Sequence, residues 1–251
     1  MQRWDSPYHG APVERVTTAN GAVASRALVA HRRILEPQVL PICNGVWSVI
    51  GLSVANAHVI AGERGLTVVD SGSSEAEGIA IRRLLRQVSD RPIVAVVYSH
   101  SHYIKGTGGL LAEEADPDSI PIYAHHRLPA KLGADRSLIE AGYWRRLGGQ
   151  YGIDLPNDGP DADPCRTGKR LSGADSSSRP TELITADDER RLIDGVEWRF
   201  WVGYPWDTDD SLIAFLPDRR VAIHNHLSRS SPNQYSIAGG PYRDPRPWLA
   251  G

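Results

Sequence analysis

The chain has 251 residues, 41% of them hydrophobic and 23% charged, with a net charge of −2. That length suits one α/β domain with a substantial core, and the near-neutral balance with scattered Lys and Arg argues against a nucleic-acid or anionic-membrane partner. No run of about 18 apolar residues is present, so a spanning helix is excluded.

Cys43 and Cys165 lie far apart and form no Cys-x-x-Cys pattern, so they read as two lone thiols ahead of the alternative, a disulfide between them. The opening Met1-Gln2-Arg3-Trp4-Asp5-Ser6-Pro7 lacks the apolar core of a signal peptide, which places the expected location in the cytoplasm.

Residues 1–40 are poorly periodic and carry Pro7, Gly10, Pro12 and Gly21, so they read as an N-terminal arm on a domain spanning 41–251. From Gly45 the character changes. Val46 to Ile50, Ala55 to Ile60 and Leu66 to Val69 are short apolar runs separated by Gly51, Gly62 and Gly65, the pattern of a strand meander. The third run ends in Asp70-Ser71-Gly72. Ser74 with Glu77 three residues on is a capping box, and Ala76, Ala80, Leu84 and Val88, beside Ile81 and Leu85, predict a helix stopped by Asp90-Arg91-Pro92.

Ile93 to Tyr98 reads as a buried strand, and it runs directly into Ser99-His100-Ser101-His102-Tyr103-Ile104-Lys105-Gly106. Two histidines at i and i+2 just past a strand end can turn both imidazoles toward one point, which is metal-ligand spacing on a loop held by a rigid sheet. Gly106 to Gly109 leads into a short helix from Leu110 to Ala115. Ile120 to Ala124 is another strand, ending in His125-His126, which read as structural. Residues 135–151 read as a helix, and 152–180, rich in Gly, Pro, Asp and Ser, as a long loop insertion. Strands resume at Glu182 to Thr185 and Arg191 to Ile193. Val196 to Trp201 alternates with Val196, Trp198 and Phe200 on one face. Ser211 to Leu216 and Val221 to Ile223 follow, and the last runs into His224-Asn225-His226.

Taken together these motifs resemble the metallo-β-lactamase-fold hydrolases, and within them the alkyl sulfatases. His100-Ser101-His102 matches the first half of that family's His-x-His-x-Asp-His motif. Asp70-Ser71-Gly72 matches its strand-end turn, and Ile193-Asp194-Gly195-Val196 the strand before the second ligand loop. Gln150-Tyr151-Gly152 with Leu155-Pro156 resembles the substrate-side insertion. Val221-Ala222-Ile223-His224-Asn225, Pro232-Asn233-Gln234-Tyr235 and Tyr242-Arg243-Asp244 resemble later stretches. The likeness runs over about residues 40–250. It implies an αββα sandwich of two mixed β-sheets flanked by helices.

The departures are as informative. The family's motif Asp and second-metal His fall on Ile104 and Lys105. Its later Glu falls on Asp207, its bridging Glu on His224, its sulfate-side Arg on Ala238, and a further His on Pro232. The family's last metal-binding His, its dimerisation region and its C-terminal domain come after the point where this sequence ends.

The resemblance thus leaves one metal site with a competent residue at every position, namely His100, His102, Asp207 and His224, with Asp209 and Asp210 as neighbours of Asp207. The private ligands of the second site are replaced. The expectation is a mononuclear divalent-metal hydrolase, with zinc favoured and iron or manganese also suited, cleaving a sulfate or related anionic small-molecule ester by metal-activated water.

Lys105 would replace part of the lost positive charge, Asp70 would orient the ligand loop, and Asn233 and Tyr235 would line the substrate side. His226 reads as a surface or supporting residue. Trp144, Trp206 and Trp248 would either wall an apolar pocket or pack in the core. The competing expectation is a catalytically inactive remnant of this fold that binds a metal, a ligand or a partner; a third is a mononuclear redox-metal enzyme.

Overall fold

The computed structural model of the chain describes residues 13–31, 36–132, 142–143, 145–149, 156, 159–160, 173–205, 207–224, 244 and 246–250. The arm contributes a hairpin of β1 (Arg15–Thr17) and β2 (Val23–Ser25), followed by a short helix α1 (Arg26–His31).

A seven-stranded sheet follows in chain order: β3 (Gln38–Cys43), β4 (Val46–Ile50), β5 (Ala57–Ala61), β6 (Leu66–Val69), β7 (Ile93–Val97), β8 (Ile122–His125) and β9 (Glu182–Ile184). β3 to β6 are antiparallel, which is the meander that the glycine turns predicted, with β3 as an additional edge strand that starts inside the stretch read as arm. β6 to β9 are parallel.

The crossover from β6 to β7 is α2 (Glu75–Leu85). Ser74 caps it by accepting from the Glu77 N–H, and the Glu77 carboxylate reaches back to the Ser73 N–H at 2.6 Å. The helix stops at Leu85, one turn before Val88, which is exposed. β7 is joined to β8 through α3 (Thr107–Leu111), and α4 (Leu128–Leu132) follows β8.

β6 is buried along its whole length, as a central strand covered on both faces must be. On one face Val49, Val59, Val68, Val96 and Ile122 pack against Ile81 and Leu85 of α2, Leu110 and Leu111 of α3 and Leu128 of α4. On the other face Val46, Ile60, Val69, Ala95, Val97 and Ile184 meet the second sheet.

That second sheet is β10 (Glu189–Ile193), β11 (Val196–Trp201), β12 (Ile213–Leu216) and β13 (Val221–Ile223), in that order. Val196, Trp198 and Phe200 of β11 alternate inward as predicted, with the Trp198 and Phe200 rings stacked at 5.7 Å. Its four strands are antiparallel throughout, where two mixed sheets were expected. Parallel pairing needs crossover connections, and among the described residues these occur only in the larger sheet. Among the described residues, no helix is long and apolar enough to cross a membrane.

Candidate metal centre

Two turns at the ends of adjacent parallel strands build the site. After β6, Asp70 takes a left-handed backbone (φ 62°), a conformation that Asp tolerates better than most residues. Its N–H donates to Val97 O at 2.9 Å, and the Ser71 N–H to Tyr103 O at 2.8 Å. Gly72 pairs with Ile104 as an isolated bridge. The Asp70-Ser71-Gly72 turn therefore zips onto the loop that follows β7. Gly106 is required there: a Cβ on it would lie 2.0 Å from Ser71 O. α2 and α3 approach as closely, since a Cβ on Gly78 would lie 1.9 Å from Gly106 O.

The loop presents its two histidines to Asp207. His100 Nε2 lies 3.2 Å and His102 Nδ1 2.8 Å from Asp207 Oδ2. Among the described residues these three form the group with metal-ligand geometry, one donor atom from each lying within 4.8 Å of the others. His100 and Asp207 are buried, whereas the His102 side chain is 38% exposed, so the group opens to solvent on the His102 side. Two imidazole nitrogens and a carboxylate oxygen suit a divalent transition ion.

The neighbouring aspartates do different work. Asp209 lies on the surface against Lys131 at 2.5 Å. Asp210 is fully buried and accepts the Ser101 N–H at 2.9 Å and its hydroxyl at 3.4 Å. The Leu212 N–H donates to Ser99 O at 2.8 Å. The segment that supplies Asp207 thus also clamps the backbone of the histidine loop.

Ile104 and Lys105, read in the sequence as departures from the family motif, do not join the three-residue group. Ile104 is 1% exposed and belongs to the core between the large sheet and its helices. The Lys105 ammonium is half exposed and lies 3.2 Å from Asp175. Residues 173–180, within the stretch read as a long loop, lie across this region: Ser176 donates from both N–H and hydroxyl to Lys105 O, and Ser176 O accepts the Gly108 N–H.

His224 stands outside the three-residue group. It lines a cavity of about 440 Å³ together with His58, Asp70, Ser99, Tyr103, Val46 and Ile223, among others. Burial, and secondly the proximity of His224, push the His58 imidazole down to about 4. Burial pushes the Asp70 carboxyl up to about 7, against the opposing hydrogen bonds from Ser99. Tyr103 sets its ring 5.2 Å from His100, edge to face.

His58, Tyr103, Ser99 and Asp210 were not singled out in the sequence as site residues. Ser99 and Tyr103 stood in the quoted loop and Asp210 beside Asp207, while His58 lay unremarked inside an apolar strand. His125 and His126 stack at 4.4 Å, and their ring nitrogens meet backbone groups of Val202, Ile184 and Arg127, a structural use as expected. Asn233, Tyr235, His226, Trp144, Trp206, Pro232, Ala238 and the Trp248 side chain lie outside the described residues.

Comparison with known proteins agrees with this geometry. The profile of the metallo-beta-lactamase superfamily matches residues 50–242. A linear primary-alkylsulfatase of Pseudomonas sp. (strain ATCC 19151) is 29% identical over 76% of this chain and 37% of its own. An alkyl/aryl-sulfatase of Saccharomyces cerevisiae is 27% identical over 82% of this chain and 33% of its own. The chain therefore spans about a third of the length of these curated relatives. The solved structure of a stereoselective inverting sec-alkylsulfatase from Pseudomonas sp. superposes with a TM-score of 0.72 at 22% identity, over 95% of this chain and 42% of that one. With a strand-end His-x-His loop, a facing aspartate and a profile match across most of its length, the chain belongs to the metallo-beta-lactamase superfamily.

Proposed function

We propose that the chain is a metal-dependent hydrolase of a sulfate ester or a related anionic small-molecule ester, working at one divalent cation. The observation that carries this reading is the convergence of His100 Nε2, His102 Nδ1 and Asp207 Oδ2. The single-ion form is supported by Ile104, which is turned into the core, and by Lys105, which is paired with Asp175. A divalent cation held there supplies a nucleophile at neutral pH and polarises an ester oxygen.

His100, His102 and Asp207 would hold it, with zinc first and iron or manganese as alternatives. His224, on the wall of the adjoining cavity, would serve as a fourth ligand or face the substrate. Asp70 holds the loop, and Asn233 and Tyr235 would face the ester. Lys105 would meet the anionic group on leaving Asp175. The sulfate class is supported by the alkylsulfatase relatives.

Metal analysis of the purified chain tests this. About one ion per chain is expected, lost in His100→Ala and Asp207→Asn, together with chelator-sensitive sulfate release from alkyl or aryl sulfates. Two ions per chain would sink the mononuclear site, and none would sink the metal reading altogether. Unchanged activity in Lys105→Ala would end its role as a substrate cation. A second reading, an inactive metal-binding remnant, is favoured by the replacements at Ile104 and Lys105. Tight metal binding without hydrolysis of any sulfate would select it.

A further inference from the structure

The apolar layer between the two sheets opens at one end. β5 places Ile60 in that layer, and His58, two residues earlier, falls on the same face of the strand. Its cross-strand neighbours are Ser48 of β4 and Val69 of β6. In place of a further packed aliphatic, an imidazole borders the cavity of about 440 Å³, to which the smaller sheet contributes Val221, Ala222 and Ile223 of β13. Among the described residues no hydrogen bond satisfies the His58 ring. Ile42 and Val54, 54% and 49% exposed, also line this cavity and stand on its solvent side.

The wall states what would fit. Among the described residues it carries no lysine or arginine, so it offers no cation to a sulfate. Most of it is aliphatic, and His58 and Asn56 add hydrogen-bonding groups. A cavity of about 150 Å³ already takes benzene, so this one has room for a substituted ring. A wholly apolar tail would leave the imidazole cut off from water with its N–H and lone pair unmet, which costs affinity. The cavity also borders the metal group. Ser99 and Tyr103 of the histidine loop are on its wall, and the Tyr103 ring stands edge-on to His100 at 5.2 Å and to His102 at 6.1 Å.

We propose that this cavity receives the organic group of the ester, a compact ring-sized group with a hydrogen-bonding substituent, and that His58 reads that substituent. The proposal rests on the hydrolase reading above and adds to it the class of organic group and the residue that selects it.

Phenol and toluene have nearly the same shape and differ in one hydroxyl, so they serve as probes. Their binding to the metal-free full chain is followed by ligand-detected NMR titration. The wild type is expected to hold phenol about 5-fold more tightly than toluene, the scale of one neutral hydrogen bond. His58→Leu, which suits the apolar layer, should abolish that difference, and His58→Gln, which keeps a donor and an acceptor, should retain part of it. Val54→Trp should weaken both probes about 10-fold or more by closing the mouth. Leu192→Trp, at an exposed position on β10 that does not line the cavity, should change neither. On the metal-loaded chain, 4-hydroxyphenyl sulfate should show a lower KM than 4-methylphenyl sulfate, and His58→Leu should remove the gap with little change in kcat.

Equal affinity for the two probes in the wild type would overturn the proposal, as would a preference for phenol that survives in His58→Leu. So would hydrolysis of both esters with an unchanged KM in Val54→Trp. Phenol binding that follows His58 in a chain that hydrolyses no sulfate ester would instead overturn the hydrolase reading and leave the pocket standing.

Discussion

At the scale of single residues, Asp207, Asp209 and Asp210 show how much chemistry hides in one short acidic stretch. The i, i+2 spacing of His100 and His102 was legible because it is local and follows a strand end. Asp207 was legible only through the family likeness, since two further acids stand within three positions of it. The structure separates them by burial and partner: Asp207 faces the imidazoles, Asp209 faces Lys131 on the surface, and Asp210 accepts the Ser101 N–H in the interior. Their removal should differ accordingly. Asp209→Ala loses an exposed ion pair and should change stability by less than about 1 kcal/mol. Asp210→Ala leaves the Ser101 N–H without its acceptor beneath the loop and should cost about 1–3 kcal/mol. Chemical denaturation of both variants measures the contrast; equal effects would show that Asp210 is not the clamp. The partners of Ser99 and His58 could not be read beforehand, because each depends on a strand or loop distant in sequence, whereas Asp70 was expected to orient the loop only through the family likeness.

At the scale of elements, the site is the meeting of two strand ends and a clamp. The β6 and β7 runs, the α2 cap and the inward face of β11 were readable from apolar periodicity and capping chemistry, which are local. The edge strand β3 was missed because it lies in a proline-containing stretch whose outer residues, Leu40 and Ile42 among them, are exposed, so no buried period announces it. The loop after β7 carries the more consequential outcome. The sequence reading set Ile104 against the family's motif Asp; in the structure the position belongs to the core, packed with the partners of α2 and α3. Restoring the acid by Ile104→Asp is therefore expected not to restore a second metal. It buries a carboxyl among apolar side chains and removes a packed isoleucine, for a combined cost of about 4 kcal/mol or more. The measurement is the denaturation midpoint together with metal content. A stable variant holding two ions per chain would show that the loop is free to turn that position outward.

At the scale of the whole molecule, the site depends on the two sheets keeping one position, because the histidines ride on the larger sheet and Asp207 on the connection between β11 and β12 of the smaller. The apolar interlayer around Trp198 and Phe200 supplies most of that adhesion, but it is non-directional. A directional lock lies at one end. The β10–β11 turn places Asp194 with φ 45° against the β5–β6 turn, where its backbone carbonyl accepts the Glu63 N–H and its carboxylate the Arg64 and Gly65 N–H groups at 3.0 and 2.8 Å. Burial alone would push this carboxyl upward; the hydrogen bonds from Gly65 and Arg64 outweigh it and hold the group below the usual carboxylate range. The charged form is therefore the one that binds the opposite turn. The Asp194 contribution is complete above the unfolded carboxylate value, near 4, and is lost as the pH falls through the lower folded value. Asp194→Asn tolerates the left-handed backbone while removing the charge, so it isolates this effect. At pH 7 the variant should lose about 1–2 kcal/mol, the scale of hydrogen bonds to a charged group, with little of it from the exposed Arg64 pair. Titrated by urea unfolding from pH 7 toward pH 3, the wild type and the variant should converge, and a gap that stays constant with pH would show that the carboxylate charge does not lock the sheets. The same variant should weaken metal binding only in proportion to any loosening between the layers, since Asp194 lies outside the ligand group.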